Sequence, residues 1–328
     1  MNDKDCLKIY DSERTKIDRI LAKLLERDKP ESLYKPCDYI LKSPGKRIRA
    51  FIVLVSAKAA GGNFKDVYNA AASVEILHNF TLVHDDIMDN ASKRRGLTTL
   101  HVKYDMNTAI LSGDNLIAVA YRSLLKDSTR NTGAVIESFT HSIIEVCEGQ
   151  SLDKEFELRK QVVLEDYKTM IRKKTAALVE MCCSLGAHIC GGSKELIQQL
   201  QTYGRNLGLA FQIQDDLLDI IGDEKEFGKS VGIDLVEGKK TYLFLMAQQA
   251  ASGKDRQLLN KFVNNKGISK NQIKEFKEMY ERLGVIDKTR KEVERYTRLA
   301  LNSINKIKNE EAKYLFNWLA RMLLTRKK

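Results

Sequence analysis

The chain has 328 residues, 43% of them hydrophobic, and a formal charge of +11. That length suits two domains or one large one and leaves ample apolar material for a deep core. The charge admits nucleic acid, an anionic membrane surface or anionic small molecules as partners, yet the lysines and arginines are scattered over polar helix faces. No aromatic-interleaved basic stripe or helix-turn-helix pattern appears, so a basic helical binding protein is the remote alternative.

Proline occurs only at Pro30, Pro36 and Pro44, so the chain beyond Pro44 is free to form long helices. Period-two alternation is scarce, which argues against strands. The fold class expected is all-α, and with no boundary after residue 45 the chain reads as a single domain, 1–328. The six cysteines show no CxxC spacing and read as reduced, buried small hydrophobes. There is no signal-peptide pattern, and no apolar run reaches the roughly 18 residues of a membrane span. A soluble, cytoplasmic protein is expected.

In chain order, residues 11–28 are amphipathic through Ile17, Ile20, Leu21, Leu24 and Leu25, with Asp11 or Ser12 as cap. After breaks at Pro30 and Pro36 comes SPGKRIRAF, where Lys46, Arg47 and Arg49 crowd the first turn of an apolar helix. The helix dipole disfavours cations at that end, and an anion there would reconcile them. The next helix, from about Lys65 to Asp89, ends in HDDIMD, followed by Lys93, Arg94 and Arg95 in an expected loop. At about 100° per residue, Asp85 and Asp89 lie within about 40° of each other, Asp86 turns to the flank, and His78 falls between the two outer directions about 10 Å nearer the helix start.

Residues 107–126 form another apolar helix, in which Gly113 suggests close packing. A long segment from about Thr132 to Glu157 carries Gln150 and Asp153 on an otherwise apolar face. Leu164 to Ile171 is a short helix, and Lys174-Thr175 opens the next. Gly191-Gly192 closes that one, and Ser193 caps a helix from Lys194 to Ile221. The last ends in FQIQDDLLD, where Asp215, Asp216 and Asp219 repeat the spacing of Asp85, Asp86 and Asp89, with Gln212 about 60° from Asp215. Lys229, Asp234 and Lys239 follow in an expected loop, and amphipathic helices at about 239–252, 255–264, 270–282, 286–307 and 310–325 complete the chain, Asn309 capping the last.

One DDxxD could be a solvated patch, but two copies on apolar helices imply buried carboxylates that need cations. They are hard oxygen donors suited to magnesium or manganese. Several cations stand apart from them: Lys46, Arg49, Arg94, Arg95, Lys174, Lys229 and Lys239. With no Ser-His-Asp order, Walker loop or nucleotide fingerprint, the combination suggests an apolar molecule bearing a diphosphate. Metals and cations would stabilise that group as it departs.

The segments GKRIR, EILH, DDIMDNASKRRG, GD at 113–114, EGQSLD, KT, FQIQDDLLD and GKSVGIDLVEGKKT, in that order over Gly45 to Thr241, resemble the trans-isoprenyl diphosphate synthases of the polyprenyl synthetase family. The resemblance implies an isoprenoid-synthase-type helical bundle around a central cavity, usually a homodimer. Asp85, Asp89 and Asp215 match the family's magnesium ligands, with up to three ions, and Asp86, Asp216 and Asp219 match supporting positions. Arg94, Lys174, Gln212, Lys229 and Lys239 match contacts to the allylic diphosphate. Gly45, Lys46, Arg49, His78 and Arg95 match the isopentenyl diphosphate pocket. The implied reaction ionises the allylic diphosphate, the isopentenyl double bond attacks the cation, and a proton is lost to the departing diphosphate. Thr175, Gln212 and the Lys174 carbonyl would stabilise the cation. Ala50 stands where many members have proline and touches no expected ligand.

In similar enzymes the helix before the first aspartates forms the cavity floor. Phe80, five residues before Asp85, matches the residue that stops elongation, with Leu77 and Val74 deeper. An ideal wheel puts Val74, His78 and Thr81 nearer the Asp85 direction, so the role of Phe80 comes from the resemblance. This pattern resembles archaeal-type geranylgeranyl diphosphate (C20) synthases, with farnesyl diphosphate (C15) or mixed C15/C20 output as the alternative. A non-catalytic partner subunit would typically lack some of these aspartates, and a class I terpene cyclase would usually carry Asn, Ser or Thr with Glu in its second motif. The C-terminal LFNWLARMLLTRKK reads as a final core helix with a basic tail.

Overall fold

The computed structural model describes residues 1–25, 29–129, 131–222 and 231–324. Lys229, Gly228, Arg326, Lys327 and Lys328 lie outside the described residues. In chain order the helices are α1 Asp3–Lys23, α2 Glu31–Leu41, α3 Ile48–Ala59, α4 Tyr68–Met88, α5 Leu100–Lys103, α6 Met106–Leu124, α7 Thr132–Leu158, α8 Leu164–Ile171, α9 Ala177–Ile189 and α10 Lys194–Ile221. They continue with α11 Ile233–Val236, α12 Tyr242–Ala250, α13 Gly253–Asn265, α14 Ile273–Arg282, α15 Val285–Ser303 and α16 Glu310–Leu324. The all-α expectation holds; among the described residues the one break in it is a short hairpin, β1 Lys93–Arg94 with β2 Leu97–Thr98.

The chain groups into two compact units. The first comprises Met1–Ser138, Cys182–Gln198 and Ile307–Phe316; the second comprises Phe139–Met181, Gln199–Lys306 and Asn317–Lys328. In the first, α3 and α4 are apolar nearly all round, as interior helices are. Phe51, Ile52, Val53, Leu54 and Val55 on α3 are buried, as are Val74, Ile76 and Leu77 on α4. Each such side chain contributes roughly 1.5–3 kcal/mol by leaving water. The long α4 therefore cannot shift along its axis without exposing a buried row, which fixes the height of the aspartates at its end.

The second unit is centred on α10 and the helices after it. Leu209, Ala210, Ile213, Leu217 and Ile220 form the buried stripe of α10, and Phe244 stacks on Phe262 at 4.4 Å between centroids. Asp216 shares that stripe, whereas Asp215 and Asp219 lie beside it, half-buried.

Three local expectations are corrected. Helix α1 starts at Asp3, eight residues early, because Asn2 accepts from the Lys4 and Asp5 amides while Asp5 reaches back to the Asn2 N–H at 3.0 Å. That is a capping box with acidic Asp in place of Glu, and it leaves Asp11 and Ser12 inside the helix. Pro36 lies within α2 instead of breaking the chain, since its missing N–H removes one rung from a helix that starts at Glu31. Lys174-Thr175 does not open a helix: α8 runs into α9 through a π turn at Arg172–Ala176, closed by the Ala177 N–H on the Arg172 carbonyl. Ser193 and Asn309 do cap, accepting from the Leu196 and Ala312 amides at 3.2 and 2.9 Å.

Candidate active site

At the end of α4 the three aspartates have different surroundings. Asp89 is the C-cap residue and exposed, and Asp85 one turn earlier is half-buried. Asp86 points inward, 3% exposed, and takes the Arg94 Nε–H at 2.5 Å. Burial still outweighs Arg94 and holds the Asp86 carboxyl above its ordinary pKa. The middle aspartate is thus committed to the protein, while the outer pair lies on the open side of the helix.

The hairpin explains how adjacent arginines take separate duties. Arg95 and Gly96 both have positive φ, 52° and 79°, the type I′ geometry of a two-residue turn. Strand β1 sends Arg94 to Asp86, whereas Arg95 at the turn reaches the Pro44 carbonyl at 3.2 Å and His78 Nε2 at 3.5 Å. Arg49 donates to the same nitrogen at 3.2 Å. A guanidinium has no acceptor, so Nε2 must be the bare nitrogen and Nδ1 the protonated one. Burial, then Arg49 and Arg95, hold the imidazole well below its usual pKa, and His78 is a neutral acceptor between two cations.

Arg47 belongs to the scaffold. It sits at the head of α3 with φ 49° and is 4% exposed. Its guanidinium donates to Asp18 at 2.7 Å and to the Ser43 and Leu41 carbonyls at 2.7 and 3.3 Å. Glu75, also buried, faces Arg47 at 3.7 Å and accepts the Ala50 N–H at 3.1 Å. The cations at this helix start therefore divide: Arg47 is neutralised from below, and Arg49 and Arg95 converge on His78. Lys46 is exposed beside them, its carbonyl accepting the Tyr10 hydroxyl. A Cβ at Gly45 would press on the Arg47 and Arg95 guanidinium nitrogens, at 2.8 and 3.2 Å, so the glycine makes room for both.

In the second unit a hydrogen-bonded relay crosses α8, α10, α12 and the π turn. The Thr175 hydroxyl donates to Gln212 Oε1 at 2.9 Å, and Gln212 Nε2 donates to Asp216 Oδ1 at 3.1 Å. Asp216 Oδ2 takes the Tyr167 hydroxyl at 2.5 Å and the Tyr242 amide at 3.0 Å. Burial and the nearby Asp234 push the Asp216 carboxyl up to about 7, and do the same to Asp219, which accepts the Asp234 amide at 3.3 Å. Lys174 pairs with Asp153 at 2.5 Å. Lys239 pairs with Glu237 and Asp234 at 2.8 and 3.3 Å, and those carboxylates raise its pKa against the opposing effect of burial. Lys174, Thr175, Gln212, Asp216 and Lys239 line one pocket of about 120 Å³. Gly149 on α7 permits this closeness, because a Cβ there would overlap the Lys174 backbone.

Gly45, Arg49, His78 and Arg95 come together in the first unit, and Lys174, Thr175 and Gln212 in the second, while Arg94, Asp85 and Asp89 belong to the first unit and Asp215 to the second. The residues expected to set chain length are buried on α4, Phe80 at 7% exposure, Leu77 at 1% and Val74 at 0%. Sequence reasoning missed Glu75, Tyr167 and Tyr242. Glu75 was visible as a charge inside an apolar run; the two tyrosines carried no signal before the fold paired them with Asp216.

A helical fold that carries one aspartate cluster at the end of α4 and another at the end of α10, with arginines and lysines on its turns, defines an isoprenoid-synthase-like enzyme. The polyprenyl synthetase family matches residues 30–283, and the chain belongs to that family: it is a trans-prenyltransferase. It is 40% identical over 262 residues to the short chain isoprenyl diphosphate synthase of Methanocaldococcus jannaschii, covering 79% of each chain. It is 37% identical over 319 residues to the geranylgeranyl diphosphate synthase of Sulfolobus acidocaldarius, covering 95% of this chain and 96% of that one. The geranylgeranyl pyrophosphate synthetase structure from Pyrococcus horikoshii matches with a TM-score of 0.90 at 32% identity, covering 98% of this chain and 99% of that one.

Proposed function

We propose that the protein condenses isopentenyl diphosphate with dimethylallyl, geranyl and farnesyl diphosphates and releases geranylgeranyl diphosphate (C20). The observation that carries this reading is the near-full-length similarity to a geranylgeranyl diphosphate synthase, together with the aromatic residue Phe80 five positions before Asp85. Both units are taken as one functional domain, 1–328, because the family match runs through both of them.

Asp85, Asp89 and Asp215 would hold magnesium, with Asp219 supporting them and up to three ions in all. The donor chemistry fits: these are hard carboxylate oxygens, and no three His, Cys, Asp or Glu side chains among the described residues form a cage by themselves. Magnesium is commonly held by one or two carboxylates and completed by substrate phosphates. Bound there, the metal supplies neutralising charge for the departing diphosphate. Arg94, Lys174 and Lys239 would hold the allylic diphosphate, the role that Lys229, outside the described residues, also matches by resemblance. Lys46, Arg49 and Arg95 would hold isopentenyl diphosphate, with neutral His78 keeping the two arginines turned to one side. The Thr175 and Gln212 dipoles would face the allylic cation. In the step itself the allylic C–O bond breaks, the isopentenyl double bond forms the new C–C bond, and a proton passes to the released diphosphate.

We also read the enzyme as a homodimer, supported by Met106, Ile110 and Leu111 of α6, which are 45%, 41% and 60% exposed. Six free cysteines support a reducing, cytoplasmic setting, and no helix among the described residues is long and apolar enough to cross a membrane. The test is incubation with magnesium, labelled isopentenyl diphosphate and each allylic primer, followed by sizing of the products. All three primers should be extended to C20. No condensation with any primer refutes the enzyme, and a ladder that ends at C15 or runs on past C20 refutes the chain length.

A further inference from the structure

Phe80 and His84 lie one helical turn apart on α4, and their rings meet edge to face with centroids 4.8 Å apart at 71°. That is the favoured geometry for two aromatic rings. The imidazole is itself lodged in a notch. A Cβ at Gly113 of α6 would overlap His84 Nε2 and Cδ2, so only glycine admits the ring there. Nε2 is buried without a hydrogen-bond partner, and the Asp114 carboxylate stands 3.8 Å away, beyond hydrogen-bond length. Polar pairing therefore does not account for a histidine at this position; what the ring supplies is shape, wedged between α6 and the Phe80 ring.

We propose that His84 is a specificity-determining positioning residue: seated over Gly113, it fixes the rotamer of Phe80 and so sets product length. This rests on the reading of Phe80 as the stop for elongation. Helical phenylalanine has two accessible χ1 wells, and a plug that can swing aside stops nothing. With the imidazole gone, the Phe80 ring gains the vacated space and the floor deepens.

The experiment compares product ladders of wild type, Phe80→Ser, His84→Ala and the double variant, with farnesyl diphosphate as primer. His84→Ala should raise the ratio of longer products to C20 about threefold or more, the order of one lost aromatic contact. The double variant should give no longer products than Phe80→Ser alone, since His84 acts through Phe80. His84→Phe, which keeps a ring edge, should retain C20. Should His84→Ala fold poorly, His84→Asn removes the ring while keeping a polar group beside Asp114 and should show the same shift. A wild-type ladder from the ring-deleted variants, or full additivity with Phe80→Ser, overturns the inference while leaving the plug reading intact. An unchanged ladder in an active Phe80→Ser overturns both, and the condensation itself reports separately on the enzyme.

Discussion

At the scale of single residues, buried polar contacts fix how the side chains of the candidate site are aimed. His78 is neutral because burial, Arg49 and Arg95 all oppose its charge. Its unfolded-state pKa is near 6.5, and its folded value lies below that, so its contribution to stability is present above about pH 6.5 and is lost as pH falls toward the folded value. Asp216 and Asp219, pushed up to about 7, act with the opposite sign, favouring the folded state as pH falls. The informative measurement is therefore a difference: thermal midpoints of wild type and His78→Gln from pH 7.5 to 5. The variant keeps an acceptor but cannot titrate, and its curve should decline less toward acid; parallel curves would sink the assignment. Tyr167 aims Gln212 by holding Asp216. Tyr167→Phe should lower kcat about tenfold, equivalent to about 1.4 kcal/mol of barrier, with KM for isopentenyl diphosphate little changed. Equal losses in kcat and kcat/KM with a normal melting profile are the signature sought, and an unaltered kcat would remove Tyr167 from the relay.

At the scale of elements, what could be read ahead was whatever depends on composition and period. The apolar runs of α3 and α4, the buried stripe of α10 and the caps at Ser193 and Asn309 follow from side-chain chemistry within a few residues. So does the separation of each middle aspartate from its outer neighbours, because Asp86 and Asp216 fall about 100° from the residues before them. The hairpin was hidden although Arg95-Gly96 carries its turn, because strands of two residues leave no alternation to detect. The π turn was hidden for a different reason. It needs one extra residue per turn, a choice made by the helices packed around it, and π turns recur at functional sites. It changes the meaning of Lys174-Thr175: the pair sits in the widened turn of a continuous helix, anchored on both sides, and not at a frayed helix start. The split of Arg47 from Arg49 was likewise illegible, since it depends on Asp18 and Glu75, which lie 29 and 28 positions from Arg47.

For the whole molecule, the formal charge of +11 matters less than how it is distributed. Arg49 and Arg95 crowd His78, while outer aspartates stand on the open sides of α4 and α10. On the proposed reading an anion would settle against the arginines and magnesium against the aspartates, so ligand binding should be visible as stability. A ligand present at a hundredfold its Kd contributes about 2.7 kcal/mol to the folded state. Inorganic diphosphate with magnesium should therefore raise the melting temperature by a few degrees, roughly 2 °C or more per kcal/mol for a chain of moderate size. The two contributions can be pulled apart. Removing metal with EDTA should abolish most of the shift, and Asp85→Asn should reproduce that loss with magnesium present. The part that survives EDTA should shrink as salt rises from 0.05 to 0.5 M, because the Debye length contracts below about 10 Å, and Arg49→Gln should remove it. A shift that ignores EDTA would mean that the aspartates hold no metal here; one that ignores salt would mean that the arginines do not hold the anion.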